Sequence, residues 1–295
     1  MPLIEDRVSV SLQKILLATD FSEASEKASA YAMALAHRFG STVQIAHVFD
    51  PSVVTSQEEA VLGIPAAKRL PTAQERLESV TNEFAAAGIQ AEAVLRQGHR
   101  PYIDLLNIAK TDRADLIITG THSKTGLARL ILGSTAESLI RNAPVPVLTI
   151  GPQAELPFKG PLVFRNIVYA TDFSTESAKA SLLALSFAQD SGANLYFCYV
   201  LGYEAKNSAT KTFLDKGFER ALNRMVPQAA YDWCNPECVV EHGDATEAIL
   251  ELAEARQADL IVLGARTASF WLTHIDHGTS PDILAQAKCP VMTIC

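Results

Sequence analysis

The sequence predicts an α/β protein made of two doubly wound, parallel-sheet domains in tandem. Three observations carry that prediction. The chain is written twice: "ATDFS" stands at 18–22 and 170–174, "ADLI" at 114–117 and 258–261, and "PVLTI" at 146–150 is matched by "PVMTI" at 290–294. Within each copy, short apolar runs alternate with stretches of helical periodicity, the pattern of parallel strands joined by right-handed helical crossovers. Each copy is also far longer than a solenoid repeat, so it is domain-sized. Residues 1–151 read as the first domain and 160–295 as the second. The stretch "GPQAELPFKGPL" (151–162) between them has three prolines, two glycines and mixed charge, which suits an extended linker.

The elements follow in order. "KILLAT", from Lys14, is apolar enough for a buried strand. In the next stretch Ala28, Tyr31, Ala32, Leu35 and Ala36 recur at helical spacing, with Ser22 placed to cap the start and Gly40 to stop the end. "TVQIAHVF" is the second strand. A looser segment, 50–70, leads to a helix expected to open at Pro71 and close at Gly88. "IQAEAVLR" reads as strand, "YIDLLNIAKT" as helix, "DLIIT" as strand, "STAESLIRNA" as helix and "VPVLTI" as the last strand. The second copy repeats this order from Asn166.

Composition narrows the class. A hydrophobic fraction of 48% with 20% charged residues allows a sizeable core. A formal net charge of -8 argues against broad binding to nucleic acid or anionic membranes. No run approaches the roughly 18–20 apolar residues of a membrane span. "MPLIEDRVSV" carries acidic residues and no apolar core, so it does not read as a signal peptide. The expectation is a cytoplasmic protein. Five cysteines, an odd and sparse set, read as reduced thiols rather than a disulfide framework.

An open doubly wound sheet binds ligands beyond the carboxyl ends of its strands, where strand order reverses. Two motifs fall at such ends: "ATD" after the first strand and "GTHSKTGLARLILGST" (120–135) after the fourth. If those strands are neighbours, Asp20 and Gly120 face one crevice. The longer motif is not a P-loop, because Lys124-Thr125 comes too early and no Gly-Lys-Ser/Thr is present. Gly120 lacks a Cβ and lets backbone approach a ligand. Gly133-Ser134 opens a helix, whose free N–H groups and dipole suit a phosphate. Ser134 and Thr135 add hydroxyls, and His122 and Lys124 place positive or polar groups in the loop. Asp20 is an acceptor for a ribose hydroxyl or an adenine amino group. Plainer readings stand beside these. Ser134 with Glu137 fits a capping box, Asp20 fits a turn, and His122 and Lys124 fit a solvated loop.

On "ILLATDFSEAS", "ADLIITGTHSKTGLARLILGSTAESLIRNAPVPVLTI" and their second copies, the chain resembles the universal stress protein family, in its tandem form. The resemblance covers nearly all of residues 10–295. It implies a Rossmann-like, adenine nucleotide alpha-hydrolase-like fold. The family's nucleotide-binding motif is Gly, two residues, Gly, nine residues, Gly, then Ser or Thr. Gly120, Gly133 and Ser134 fit it, and Ser123 stands where the second Gly is expected. The resemblance therefore implies ATP or another adenine nucleotide as ligand, with magnesium as an optional companion. Ala18, Thr19 and Asp20 would lie by adenine and ribose. Val48 would hold adenine through its backbone, and Gly120, Ser123, Gly133, Ser134 and Thr135 would surround the phosphates.

The second copy departs further from the motif. Gly264 fits the first mark and Thr267 replaces the second Gly. An ungapped alignment puts His277 at the position of Gly133; a one-residue insertion would restore Gly278-Thr279. Asp172 and Val200 persist on the adenine side, and bulky Phe270 and Trp271 stand in the loop. Weak or no nucleotide binding is expected there. The resemblance also implies that Val145–Ile150 and Val291–Cys295 pair across a domain–domain twofold within the chain, covering two apolar edges. Two chains would pair further in a homodimer. The function so implied is stress-response binding, with ATP in domain 1 and output through shape or partner choice. A nucleotide-free tandem scaffold for protein–protein interaction, and a slow ATPase, are the alternatives.

Two other clusters carry metal-ligand residue types. Cys234, Cys238 and His242 are spaced C-x3-C-x3-H, but a fourth zinc ligand is not evident, and packing on one strand face explains them. "HIDH" at 274–277 fits a solvated loop better than a metal site. No Gly-x-Ser-x-Gly elbow is present, and no G-x-G-x-x-G follows the first strand.

Overall fold

A computed structural model describes residues 10–50, 66–121, 132–157, 162–203, 211–264 and 281–295. The first half runs β1 (Lys14–Ala18), α1 (Glu23–Phe39), β2 (Thr42–Phe49), α2 (Ala66–Ala86), β3 (Ala91–Gln97), α3 (Pro101–Thr111), β4 (Leu116–Gly120), α4 (Ser134–Asn142) and β5 (Val147–Ile150). The second runs β6 (Asn166–Ala170), α5 (Thr175–Ser191), β7 (Asn194–Leu201), α6 (Lys211–Met225), a 3-10 turn (Gln228–Asp232), β8 (Asn235–His242), α7 (Ala245–Ala255), β9 (Leu260–Gly264), α8 (Pro281–Gln286) and β10 (Val291–Ile294).

Local chemistry explains the boundaries. Ser22 caps α1 by accepting from Ser25 N–H, and Gly40 ends it at φ 67, a left-handed turn glycine adopts without Cβ strain. Ser174 and Gly192, at φ 61, do the same for α5. Pro101 opens α3, where its missing N–H costs nothing. One start differs from expectation: α2 begins at Ala66, five residues before Pro71. The intervening Ala, Lys, Arg and Leu are strong helix formers, and they carry the helix past one lost backbone bond.

Among the described residues, ten strands form one sheet in the order β3-β2-β1-β4-β5-β10-β9-β6-β7-β8. Pairing within each half is parallel, so β1 and β4 are neighbours and strand order reverses between them. The halves join through an antiparallel pair in which Val291, Met292 and Thr293 face Thr149, Leu148 and Val147. The intramolecular pairing of the last strands thus occurs. One apolar cluster fills the α1/α2/α5/α6 face without a break between halves, through Leu148, Ile150, Phe187 and Met292. A second fills the other face, under α3, α4, α7 and α8.

Contacts across the join repeat with twofold logic. Arg38 of α1 pairs with Asp190 of α5, and Phe39 meets Phe187 edge to face at 6.3 Å. Within the halves, Lys27 donates to the carbonyl of Pro152 just past β5 at 2.6 Å, and its counterpart Lys179 to that of Cys295 just past β10 at 3.0 Å. A Cβ on Gly151 would lie 2.2 Å from the Leu284 carbonyl oxygen. At the matching place the Cys295 thiol donates to the carbonyls of Ile140 and Arg141.

Candidate functional site

Beyond the carboxyl ends of β1, β2 and β4 lies a crevice of about 690 Å³. Ala18, Thr19 and Asp20 line it after β1, and Ala46, His47 and Val48 along β2. Gly120 lines it at the end of β4, and Gly133, Ser134 and Thr135 at the start of α4. Arg76 of α2 and Leu105 of α3 flank it. The crevice therefore gathers eight of the sequence-derived site residues: Ala18, Thr19, Asp20, Val48, Gly120, Gly133, Ser134 and Thr135. His122, Ser123 and Lys124 lie outside the described residues.

Asp20 builds the turn that starts α1. Its Oδ1 accepts from Ser22 N–H at 3.0 Å and from the Ser25 hydroxyl at 2.6 Å. Phe21 follows at φ 60, and its N–H donates to Thr19 Oγ1 at 3.1 Å. A left-handed Phe costs on the order of 1 kcal/mol, which these local bonds offset. The second half repeats the device: Asp172 Oδ1 accepts from Ser174 N–H at 2.9 Å and the Ser177 hydroxyl at 2.5 Å, and Phe173 sits at φ 60. Partial burial pushes the Asp172 carboxyl up, and the bonds from Ser174 and Ser177 outweigh it, so the group is held below the usual carboxylate value.

The register aims Val48. In a parallel strand the N–H and C=O of one residue point to the same side, and successive residues alternate. Thr19 N–H donates to Ala46 O, so the backbone groups of Ala46 face β1; Gly98 N–H donates to Phe49 O, so those of Phe49 face β3. Val48 therefore presents a donor and an acceptor on the β1 side, two residues past that last ladder bond. This pair is spaced to meet a ring that offers one acceptor and one donor on an edge.

Gly120 has a different first duty from the one its motif implies. A Cβ there would come within 2.6 Å of the Ala24 carbonyl carbon and 2.8 Å of Ser25 N. The missing side chain lets the start of α1 lie against the end of β4, so helix packing uses the room that was assigned to a ligand. The capping box is also corrected. Gly133 is the N-cap residue, with no side-chain capping bond, and Ser134 is the first helical residue. Glu137 does not reach back; it accepts from Arg141 Nη2 at 2.7 Å, the pairing that i,i+4 spacing favours. The helix thus starts with backbone donors and its positive dipole end at the crevice wall.

Other residues at this crevice carried no motif. His47 Nδ1 lies 2.8 Å from Thr19 O, and its ring centroid is 4.5 Å from that of Phe21. The Arg76 guanidinium sits 4.5 Å over the same Phe21 ring and donates to Phe21 O at 3.0 Å. Asp50 Oδ1 lies 2.9 Å from His99 Nδ1.

The second half places Asp172, Val200 and Gly264 at the matching strand ends, while Gly278, Thr279, Phe270, Trp271 and 274–277 lie outside the described residues. Its lining changes. Cys198 stands for Ala46 and Tyr199 for His47. Tyr199 stacks on Phe218 at 4.3 Å and meets Phe173 at 5.0 Å. Burial pushes the Cys198 thiol up to about 12, with a smaller contribution from Glu241. On the edge strand, His242 Nε2 lies 2.9 Å from Asp215 Oδ1, so this histidine faces α6. Cys234 and Cys238 are free thiols, each pushed up to about 11, chiefly by burial.

Comparison with known proteins converges on one family. The model of the universal stress protein family matches residues 11–151 and again 164–294. The universal stress protein MJ0531 of Methanocaldococcus jannaschii is 33% identical over 139 residues, 47% of this chain and 81% of that protein. A universal stress protein of Thermus aquaticus is 36% identical over 138 residues, 46% of this chain and 96% of that protein. Among solved structures, a universal stress protein from Archaeoglobus fulgidus covers 96% of each chain with a TM-score of 0.71 at 23% identity, a likeness of fold.

Proposed function

This chain belongs to the universal stress protein family, and from that premise we propose that its first half binds ATP or a related adenine nucleotide in a cytoplasmic stress-response role. The observation that carries the reading is the convergence, in one crevice of about 690 Å³, of the Val48 backbone pair and the uncapped start of α4. Adenine pairs by its amino edge with Val48, near Ala18, Thr19 and Asp20. The phosphates lie at Gly133, Ser134 and Thr135, where N–H groups and the helix dipole favour negative charge. Gly120 stands at the wall; the proposal extends to His122, Ser123 and Lys124, which follow it in the sequence, with magnesium as an optional companion of the phosphates. Residues 1–151 and 160–295 are the two units of this proposal.

The second half fits a scaffolding role better. Its Tyr199–Phe218 stack and Cys198 occupy places that are His47 and Ala46 in the first half. In this reading Asp172, Val200, Gly264, Gly278 and Thr279 hold no nucleotide, and the pairing of β5 with β10 is the second half's contribution.

The test starts from purified protein. Denaturation is expected to release an adenine nucleotide, and calorimetry to give a stoichiometry near one ATP per chain. Protein that releases nothing and gives no heat with ATP, with or without magnesium, overturns the binding proposal. ADP or AMP production above a denatured control would recast the protein as a slow ATPase.

A further inference from the structure

The two halves are copies, so each is a control for the other. A side chain kept by both serves the shared fold; one that lines the crevice of a single copy points to a duty particular to that copy. Asp20, Phe21 and Ser25 have counterparts in Asp172, Phe173 and Ser177 that make the same contacts. Asp50 has none. β2 and β7 align from Thr42 and Asn194 to Phe49 and Leu201, and the next residue is Asp50 in the first half but Gly202 in the second.

Asp50 is built into its place. It lines the crevice, with its side chain 15% exposed. It follows Val48 by two residues, at the end where the backbone pair faces inward. Its partner His99 arrives on the turn between β3 and α3, which is pinned by the bond from Gly98 N–H to Phe49 O at 3.1 Å. A Cβ on Gly98 would fall 2.0 Å from Asp104 Oδ2, the end of a side chain that can swing aside. His99 itself is 71% exposed and reaches Asp50 from the outer side.

Resting on the nucleotide reading above, we propose that Asp50, oriented by His99, accepts a hydrogen bond from the nucleoside part of the ligand. The donor is the exocyclic amine of the base or a ribose hydroxyl. An ionised carboxylate only accepts, so it selects a donor and rejects a carbonyl at the same place. Charge-assisted bonds of this kind are roughly twice as strong as neutral ones. A site built to meet a donor loses heavily when the donor is missing, because the carboxylate is left without its partner. The negative charge at this end also opposes phosphate, which sets the ligand's direction along the crevice toward α4. Among the described residues, Asp20, His47 and Arg76 are the titratable or charged groups that line the crevice with Asp50, and His99 is its ion-pair partner.

The experiment measures dissociation constants by calorimetry on the full chain for ATP, for ITP, which lacks the amine, and for 2′,3′-dideoxy-ATP. Asp50→Ala is expected to weaken ATP binding by roughly tenfold to a hundredfold, the range of a bond to a charged group. The loss is expected to vanish on one analogue: on ITP if the donor is the amine, on dideoxy-ATP if it is a hydroxyl. His99→Ala gives the same analogue-selective pattern, more weakly. Equal losses on all three ligands, or no loss on any, overturn the assignment. Where the alanine variant fails to fold, the isosteric Asp50→Asn gives the same readout, a fall in the preference for ATP over one analogue. A parent chain that binds none of the three overturns the nucleotide reading itself, which is a different result.

Discussion

A Cβ on Gly120 would press into the backbone at Ala24 and Ser25, so this glycine is required before any ligand is considered. Gly120→Ala is expected to destabilise the nucleotide-free protein by about 1–3 kcal/mol, the usual cost of overpacking, in a urea titration. Lost binding in a bulkier variant at this site would report a shifted α1 as much as a lost contact. Asp172 yields a pH prediction. Its carboxyl is held below the ordinary value, so it contributes stability that is complete above the unfolded value of about 3.9 and is lost as pH falls through the lower folded value. Asp172→Asn is therefore expected to have a lower urea midpoint than the parent at pH 7, and the gap to close in acid. A gap that persists unchanged at pH 2.5 would refute that account. At this scale the sequence was partly legible. Motif residues such as Asp20, Gly120 and Gly133 could be picked out, although the packing of Gly120 against Ala24 and Ser25 left no trace in the motif. Asp50, His47 and Arg76 could not, because no motif marks the end of β2, where His47 and Asp50 stand, and Arg76 reaches the crevice from a separate element, α2. The one available signal was comparative: a carboxylate just past a strand end in one copy, and Gly202 in the other.

The start of α4 is where an element's ends and its chemistry coincide. Gly133 has φ -64 and ψ 140, the extended conformation that a residue preceding proline prefers. Ser134 is the first helical residue, where proline is tolerated. Ser134→Pro therefore removes one N–H and one hydroxyl while keeping the helix. The expected result is stability within about 0.5 kcal/mol of the parent, as for a compatible surface change, with ATP binding weakened by roughly tenfold. Ser134→Ala separates the hydroxyl from the N–H. Unchanged ATP affinity in the proline variant would remove α4 from the site. Helix boundaries were the least legible part of the sequence. Ser134 and Glu137 matched a capping box by spacing alone, yet Arg141, four residues on, offers Glu137 a charged partner and wins it. Pro71 looked like a start, and the strong formers ahead of it extended α2 upstream.

At the scale of the molecule, the apolar clusters cross from one half to the other on the α1/α5 face, and the sheet is unbroken. Unfolding is expected to be a single cooperative transition. Both tryptophans, Trp233 and Trp271, lie in the second half of the sequence, whereas far-ultraviolet circular dichroism reads both halves. The two signals should therefore coincide along a urea titration; separated midpoints would show that the halves melt independently. The α/β class was legible because duplicated motifs and alternating periods repeat the same instruction. The neighbouring of β1 and β4 was an assumption from fold type, since no local pattern encodes which strands lie side by side.

The antiparallel join of β5 and β10 has one more consequence. Because every other pairing among the described residues is parallel, the strands of the two halves run in opposite directions, and their carboxyl ends lie on opposite sides of the molecule. Two separate identical chains joined this way would inherit every substitution at both mouths. Written as one gene, the mouths mutate one at a time. Asp50 and Gly202, or His47 and Tyr199, are differences that a symmetric pair has no means of acquiring.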